Sequence, residues 1–264
     1  MTELKLLWSE EFNAGSGLRP DSKTWNNQNG DGTEFGIPGW GNQEREFYIP
    51  AAATMDGESN LVIHAQRIED QPDRPDTYYG KAEWTSARLA TNDKVTFKYG
   101  RIEARVKVPT GVGSWPAVWM LGTDIHDNPW PACGEIDIIE ARGCAPREVI
   151  GTVHGPGYCA DNGRGTSIWL EADLSDDFHV FAIEWLPSGI TWYLDGEKYF
   201  STSPEDIAPL EWVFDHEFYL LINLAIGGGF AGPIEDSLME ADFVLDYIRH
   251  YSIDGVGEVK LFNQ

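Results

Sequence analysis

The sequence predicts an all-β fold, a sandwich or barrel, in one domain that spans residues 1–264. Three observations favour this fold class. Short segments alternate in hydrophobicity or are rich in β-branched residues, clusters of Gly, Pro, Asn and Asp separate them, and helical periodicity is almost absent. A chain of 264 residues is within the usual size of a single all-β domain.

Six segments are predicted to be strands, at residues 61–66, 100–108, 178–185, 190–194, 217–224 and 241–251. In the clearest, residues 100–108, apolar and charged residues alternate, which is the pattern of a strand with one buried face. The pair Asp195-Gly196 predicts a two-residue hairpin turn. Only residues 203–209 could form a helix, and their two prolines limit it to about one turn.

Three carboxylates stand among three isoleucines in the central motif of the chain. On a regular strand Glu135 and Asp137 share a face, but Glu140 follows Glu135 by an odd number of residues and would face the other way. A β-bulge around Ile138 and Ile139 would return Glu140 to the face of the other two, and bulges are frequent beside active sites. The alternative is an ordinary half-exposed strand in which acidic and apolar residues alternate.

Such a row of carboxylates suits hydrolysis of glycosidic bonds with retention of configuration. That reaction uses two carboxyl groups about 5–5.5 Å apart, one as nucleophile and one as acid/base. Crowding a third carboxylate between them raises at least one pKa, which keeps an acid protonated near neutral pH.

Residues 135–140 resemble the active-site signature of glycoside hydrolase family sixteen, in the longer form typical of laminarinase-like endo-β-1,3-glucanases. The resemblance extends from residues 8–12 to residues 246–249. It implies a jelly-roll β-sandwich of two curved antiparallel sheets with a concave substrate cleft. It also implies Glu135 as nucleophile, Asp137 as assisting acid and Glu140 as general acid/base, with no cofactor for catalysis.

Eight further residues are candidates for binding the substrate. They are Asn42, Arg88, Trp115, Trp119, Trp130, His154, Asn223 and Phe230. The resemblance implies that Trp115 and Trp119 line subsites on the non-reducing side of the cleavage point. It places Asn223 and Phe230 on the leaving-group side, where Phe230 stands in place of the usual tryptophan and puts affinity there in doubt. Trp130, just before the motif, is a further candidate for the cleft wall.

Each candidate also has an ordinary structural interpretation. Trp115 and Trp119 could be core residues, Asn42 a turn asparagine, Arg88 one half of a structural ion pair, and His154 a structural histidine. The resemblance favours Asn42 as a ligand of a sugar hydroxyl, Arg88 at the edge of the cleft and His154 beside the acid/base.

A structural calcium ion is a further implication of the resemblance. The matching positions are Glu11, Asp246 and the backbone at Gly57, where an ion would fix the chain termini to the sandwich. The six His and three Cys show no zinc-binding spacing.

Composition restricts the partners of the protein. The formal charge of −24 and the pI of about 4.4 argue against nucleic acid, acidic membrane surfaces and anionic polysaccharides, whereas a neutral β-glucan is compatible with them. An aromatic content of 12% suggests that some rings line a surface. We expect a monomer that is secreted, with its signal peptide missing from this sequence.

The three cysteines leave two possibilities open. Cys133 and Cys159 could lie opposite each other on adjacent strands and form a disulfide, with Cys144 free, or all three could be free.

The predicted function is therefore endo-acting, retaining hydrolysis of β-1,3-glucan of the laminarin type. The alternatives are a mixed-linkage β-1,3-1,4-glucanase, hydrolysis of galactan, transglycosylation, and a β-glucan-binding module without hydrolytic activity.

Overall fold

The structure, a computed structural model, describes residues 2–262 and consists mainly of β-strands. The strands are, in chain order, β1 (Leu4–Glu10), β2 (Asn26–Asn27), β3 (Glu46–Tyr48), β4 (Ala53–Met55), β5 (Leu61–Arg67), β6 (Asp76–Thr77), β7 (Gly80–Lys81), β8 (Trp84–Ser86), β9 (Arg88–Ala90), β10 (Val95–Lys98), β11 (Gly100–Lys107), β12 (Ser114–Gly122), β13 (Glu135–Arg142), β14 (Ala145–His154), β15 (Arg164–Trp169), β16 (His179–Leu186), β17 (Gly189–Leu194), β18 (Glu197–Thr202), β19 (Phe218–Ile226), β20 (Glu240–Ile253) and β21 (Glu258–Leu261). The helical segments are α1 (Pro204–Ile207), α2 (Gly228–Ala231) and the 3-10 turns Thr33–Phe35, Pro38–Gly41, Pro50–Ala52 and Ala160–Asn162.

Two large sheets form the fold. In the back sheet the strand order is β18-β17-β16-β11-β20-β5-β8-β3, with β1 beside β20 and β4 beside β5. In the front sheet the order is β15-β14-β13-β12-β19-β10-β21, with β9 beside β19 and β2 beside β9. The short strands β6 and β7 form a separate hairpin. The all-β sandwich that the sequence predicts is confirmed.

The predicted elements are observed with small differences in their ends. All six predicted strands are present, and Asp195 and Gly196 form the two-residue turn between β17 and β18, both with positive φ. The predicted single helical turn is α1, which Ser203 and Asp206 close with a capping box. The two sheets are antiparallel as expected except at one edge, where β3 and β8 pair in parallel. Between them the chain passes through β4, β5, β6 and β7, and a connection of that length permits parallel pairing.

The hydrophobic core lies between the two sheets. Trp185 of the back sheet packs edge-on against Phe218 of the front sheet, with ring centroids 5.3 Å apart, and both side chains are fully buried. Each large apolar side chain buried in this way stabilises the fold by roughly 1.5–3 kcal/mol. The outer face of the front sheet is therefore not needed for the core and can carry polar and aromatic side chains.

The strand β13 contains the predicted bulge. Val118 of β12 pairs with Ile139 and the next residue, Trp119, pairs with Asp137, so Ile138 has no partner on β12. Trp192 of the back sheet donates its indole N–H to the backbone carbonyl of Asp137 (2.8 Å), which satisfies a polar group beside the irregularity. All three isoleucines of the motif are fully buried, and Glu140 is on the same face as Glu135 and Asp137.

The cysteines are free, so the disulfide alternative is not the one observed. Cys133 is buried, Cys144 is exposed and Cys159 is partly exposed. Glu135 pairs with His154, and the chain then turns tightly through a bridge between residues 155 and 158, which displaces Cys159 from the position opposite Cys133. Within residues 2–262, no helix has the length and apolar character needed to cross a membrane.

Candidate active site

The carboxylate row, defined as Glu135, Asp137 and Glu140, lies on the outer face of the front sheet. On β12 these residues pair with Leu121, Trp119 and Ala117, which alternate regularly and share one face. Asp137 is almost fully buried, with 2% of its surface exposed, while the two glutamates are half-buried. The bulge therefore brings together three acids that a regular strand would have divided between two faces.

Each glutamate of the row accepts a hydrogen bond from a tryptophan. Trp130 donates its indole N–H to Glu135 Oε2 (2.5 Å), and Trp115 donates to Glu140 Oε1 (3.2 Å). His154 Nε2 lies 3.2 Å from Asp137 Oδ2, but the two groups are not aligned as a hydrogen bond. In the part of the chain that the structure describes, no arginine or lysine forms an ion pair with the row.

Burial raises the pKa of every member of the row, and the charges of neighbouring members raise the pKa values of the two glutamates further. Burial, followed by the charge of Asp137, raises the pKa of Glu135 to about 8. Burial likewise raises the pKa of Asp137 to about 7. The pKa of Glu140 is well above its usual value because of burial and then the charges of Asp137 and Glu135. The three groups titrate as one unit, so the row retains protons near neutral pH.

A second set of functional candidates aligns with the row across neighbouring strands. Glu140 of β13 pairs with Ala117 of β12, Ala117 with Asn223 of β19, and Asn223 with Arg88 of β9. With strands about 4.8 Å apart, this line runs roughly 14 Å from Glu140 to Arg88. The small side chain of Ala117 leaves space between Glu140 and Asn223, so the line forms a groove floor across the strands.

Asn223 belongs to a chain of hydrogen bonds that positions Trp119. Trp119 donates its indole N–H to Asn223 Oδ1 (2.8 Å), and Asn223 donates to the hydroxyl of Tyr48 (3.2 Å). Tyr48 donates in turn to Glu44 Oε2 (3.1 Å), whose other oxygen accepts from the exposed Asn42 (3.0 Å). Asn42 and Trp119 are thus joined through buried polar groups. The sequence analysis did not identify Tyr48 or Glu44 as part of the site.

The segment around Glu44 carried a signal that could have revealed these groups. Glu44, Glu46 and Tyr48 occur at alternate positions, which is the spacing of one strand face, and all three are buried. Glu46 accepts a hydrogen bond from the backbone N–H of Ile226 (2.7 Å), and burial with the nearby Glu44 holds its pKa well above the usual value. Two acids and a tyrosine at alternate positions are therefore a sequence signal for a buried polar network on one strand face.

Arg88 is held between two tryptophans. Its guanidinium lies 4.4 Å from the ring centre of Trp40 and 4.8 Å from that of Trp119, and its Nε donates to Gln28 Oε1 (2.6 Å). Among the described residues it forms no ion pair with a carboxylate, so the structural ion pair considered for it is not observed. Arg88 instead supports the aromatic ring of Trp119.

Trp115 and Phe230 pack together near Glu140. Their ring centroids are 4.8 Å apart, and Arg142 covers Phe230 at 5.0 Å. Both tryptophans, expected on the non-reducing side, therefore contact residues expected on the leaving-group side: Trp115 contacts Phe230, and Trp119 contacts Asn223. The assignment of both tryptophans to the non-reducing side stays a prediction. At the other end of the row, the ring centroids of Trp130 and His154 are 6.4 Å apart.

The residues expected to hold calcium have other partners. Arg249 donates two hydrogen bonds to the carboxylate of Glu11 (2.9 and 2.8 Å), and Arg105 bonds Asp246. Gly57 lies in the loop between β4 and β5. Because a guanidinium already neutralises each carboxylate, this set as it stands does not fit a cation, and the calcium site stays a prediction.

A β-sandwich with crowded carboxylates beside tryptophan rings is the arrangement of a glycoside-hydrolysing site. Residues 41–215 match the family model described as glycosyl hydrolases family 16, and the chain belongs to this family. The resemblance found in the sequence is thereby confirmed, and with it the jelly-roll sandwich.

Similar sequences and solved structures agree with this assignment. A beta-glucanase of Rhodothermus marinus is 38% identical over 260 residues, which are 94% of this chain and 85% of the relative. The catalytic domain of an endo-1,3-beta-glucanase (laminarinase) from Thermotoga petrophila is 41% identical, with a TM-score of 0.90 over 97% of this chain and 100% of that one. The endo-beta-1,3-glucanase of Pyrococcus furiosus, also 41% identical, has a TM-score of 0.88 over 95% of each chain.

Replacing Asp137 with Asn should stabilise the protein at alkaline pH. The raised pKa of Asp137 means that its protonated form is compatible with the fold, so stability is lost as pH rises from about 4 through 7. Asn stays neutral. We expect the melting temperature of Asp137→Asn to match the wild type near pH 4 and to exceed it by several degrees at pH 8, since about 1 kcal/mol corresponds to roughly 2–4 °C. Calorimetry at pH 4, 6 and 8 measures this, with Glu197→Gln, an exposed acid of the back sheet, as control. The same difference in melting temperature between Asp137→Asn and the wild type at all three pH values would contradict the prediction.

Removal of divalent cations should leave stability unchanged. Arg249 and Arg105 already supply the positive charge beside Glu11 and Asp246. The melting temperature in EDTA should therefore equal that in buffer with added calcium. A loss of several degrees in EDTA that calcium reverses would show that an ion displaces the arginines.

Proposed function

We propose that this chain is an endo-acting, retaining β-1,3-glucanase of the laminarinase type. The single observation that carries the proposal is the bulge at Ile138, which puts Glu135, Asp137 and Glu140 on one face of the front sheet. The family and the names of the similar glucanases support the substrate.

In the first step Glu140 is the acid and Glu135 the nucleophile. Glu140, whose raised pKa keeps it protonated, gives its proton to the glycosidic oxygen as the bond to the anomeric carbon breaks. Glu135 attacks as the carboxylate, while Asp137 holds the proton that these two groups share near neutral pH, and forms a covalent bond to that carbon. The indole N–H of Trp130 holds the carboxylate of Glu135 in place. The leaving chain departs with a new hydroxyl group.

In the second step Glu140, now ionised, removes a proton from water. The water oxygen attacks the anomeric carbon, the bond to Glu135 breaks, and the configuration at that carbon is restored. Asp137, between the two glutamates, shares protons with them and limits the charge that the row must carry. The Glu140 carboxyl then regains its starting protonation state, and no cofactor takes part.

The groove beside the row suits a neutral sugar chain. Trp115, Trp119 and Trp130 present aromatic surface, and Asn42, Arg88 and Asn223 present polar atoms. A net charge of −24 repels polyanions and leaves a neutral glucan unaffected.

The alternatives are weaker on this arrangement. A β-glucan-binding module has no need of three carboxylates with raised pKa values, which are costly to bury. Mixed-linkage cleavage uses the same chemistry, so one enzyme can have both activities, and only their relative rates distinguish a β-1,3-glucanase from a mixed-linkage enzyme.

Export from the cell stays a prediction that follows from the size of the polymer. The monomeric state stays a prediction that size-exclusion chromatography would check.

Replacing Glu135 with Gln should abolish hydrolysis while preserving binding. The amide keeps the shape of the side chain but cannot form the covalent intermediate. Release of reducing ends from laminarin should fall by about 10³-fold or more, whereas laminari-oligosaccharides should still bind in calorimetry.

The control for this variant is Glu197→Gln, which should retain full activity. In the same assay the wild type should cleave laminarin faster than lichenan. Full activity of Glu135→Gln would refute the nucleophile, and faster cleavage of lichenan would assign the enzyme to the mixed-linkage class.

Deleting Ile138 should preserve hydrolysis at reduced stability. Without this residue Glu140 follows Glu135 by four positions, so a regular ladder keeps the row on one face. Loss of a buried isoleucine should lower the free energy of unfolding by about 2–5 kcal/mol. Ile138→Ala, which keeps the bulge, is the matched control for lost packing. If both variants fold and only the deletion is inactive, a shared face is not sufficient for activity.

A further inference from the structure

We propose that Glu135, Asp137 and His154 form a binding site for a divalent transition-metal ion such as zinc, and that the bound ion inhibits the enzyme. Binding of the ion rests only on the geometry of these three side chains. Inhibition rests in addition on the proposed function, because it requires that Glu135 be the nucleophile.

The three side chains are close enough to bind one ion. One ligand atom from each residue lies within 4.8 Å of the others. His154 Nε2 and Asp137 Oδ2 are 3.2 Å apart. Tetrahedral zinc with bonds of about 2.0–2.2 Å requires ligand atoms about 3.3–3.6 Å apart, so this pair already has nearly the required spacing. A side-chain rotation of Glu135 toward them would complete a set of three ligands.

One of the ligand atoms lacks a partner in the free protein. Asp137 is 2% exposed, and its Oδ2 atom accepts no hydrogen bond although it faces His154. A buried carboxylate oxygen without a partner is unfavourable, since the desolvation of the charge is not offset. A cation at this position would supply the missing interaction.

The surrounding charges favour a cation of the transition-metal type. In residues 2–262 no basic residue apart from His154 pairs with the row, so retained protons are the main compensation for its negative charge, and a cation could replace them. Imidazole nitrogen is a preferred ligand for zinc and copper, whereas magnesium and calcium select oxygen ligands. The set of two carboxylates and one histidine therefore discriminates against the common hard cations.

The surroundings of His154 limit the affinity of this site for a metal ion. The second ring nitrogen of His154 has no hydrogen-bond partner in the described structure, and the ring packs against Gly163 with no space for an intervening acceptor. Metal-binding histidines usually donate this second N–H to an oxygen, and its absence weakens binding about 10–100-fold. We therefore expect reversible binding, as suits an inhibitor and not a resident cofactor.

An ion bound here would block the reaction directly. It would hold the carboxylate of Glu135 away from the anomeric carbon and would fix the charge of Asp137. Substrate and metal would then compete for the same free enzyme, and a chelator would restore activity.

The direct test is isothermal titration calorimetry of the whole chain with zinc chloride in the absence of any glucan. The wild type should bind about one zinc ion per chain with saturation, and magnesium chloride at the same concentration should give no comparable signal. His154→Phe keeps the ring and its packing against Trp130 but removes both nitrogens, and it should bind zinc more than about tenfold more weakly.

The matched control is His64→Phe, which removes a histidine that pairs with Asp242 on the back sheet. This variant should bind zinc as the wild type does. Glu135→Gln provides a second loss-of-ligand variant should His154→Phe fail to fold, as judged by circular dichroism. Absence of saturable binding by the wild type, or equal binding by the wild type and a folded loss-of-ligand variant, would overturn the proposal.

A kinetic experiment separates this proposal from the proposed function. Zinc should raise the KM for laminarin without changing kcat, and EDTA should reverse the effect. Saturable zinc binding that leaves hydrolysis unchanged would retain the site and reject inhibition. Hydrolysis of laminarin by a protein that binds no zinc would retain the function and reject the site.

Discussion

The arrangement of the candidate active site depends on one irregularity in β13. A strand alternates its side chains between two faces, so an odd spacing between Glu135 and Glu140 is incompatible with a shared face unless one residue leaves the pairing. Ile138 is that residue, and both it and its neighbour Ile139 point into the core. The bulge thus satisfies two requirements together, because it buries consecutive isoleucines and turns all three carboxylates outward.

The row is electrostatically unfavourable, and the rest of the fold has to offset it. Indole N–H groups donate to the two glutamates, and His154 lies beside the third acid, Asp137, without a hydrogen bond to it. Among residues 2–262, no arginine or lysine pairs with the three acids. A basic partner would lower the pKa values and remove the protonated acid that the proposed mechanism requires. The large aromatic core between the sheets supplies the stability that permits this, as expected where activity and stability conflict.

The sequence predicted features that depend on local patterns. Alternation gave the six strands, and the odd spacing in the central motif gave the bulge. Local sequence patterns could not predict contacts that depend on pairing between strands distant in the chain. The bond between Tyr48 and Asn223 joins residues 175 positions apart, and the parallel pairing of β3 with β8 depends on the path of the intervening chain. The free state of Cys133 likewise depends on a tight turn that follows the paired strand.

The pairing between strands also explains why the groove crosses the sheet. Side chains that share a face lie in lines perpendicular to the strands, so residues that pair in succession form a continuous row whatever their distance in sequence. Glu140, Ala117, Asn223 and Arg88 form such a row. Its acidic end needs positive charge or protons, and its other end is aromatic and polar. A proton, a metal ion or the developing positive charge of a sugar ring can each meet that need at the acidic end, and for this reason the proposed catalysis and the proposed inhibition by a cation both depend on the same three crowded acids.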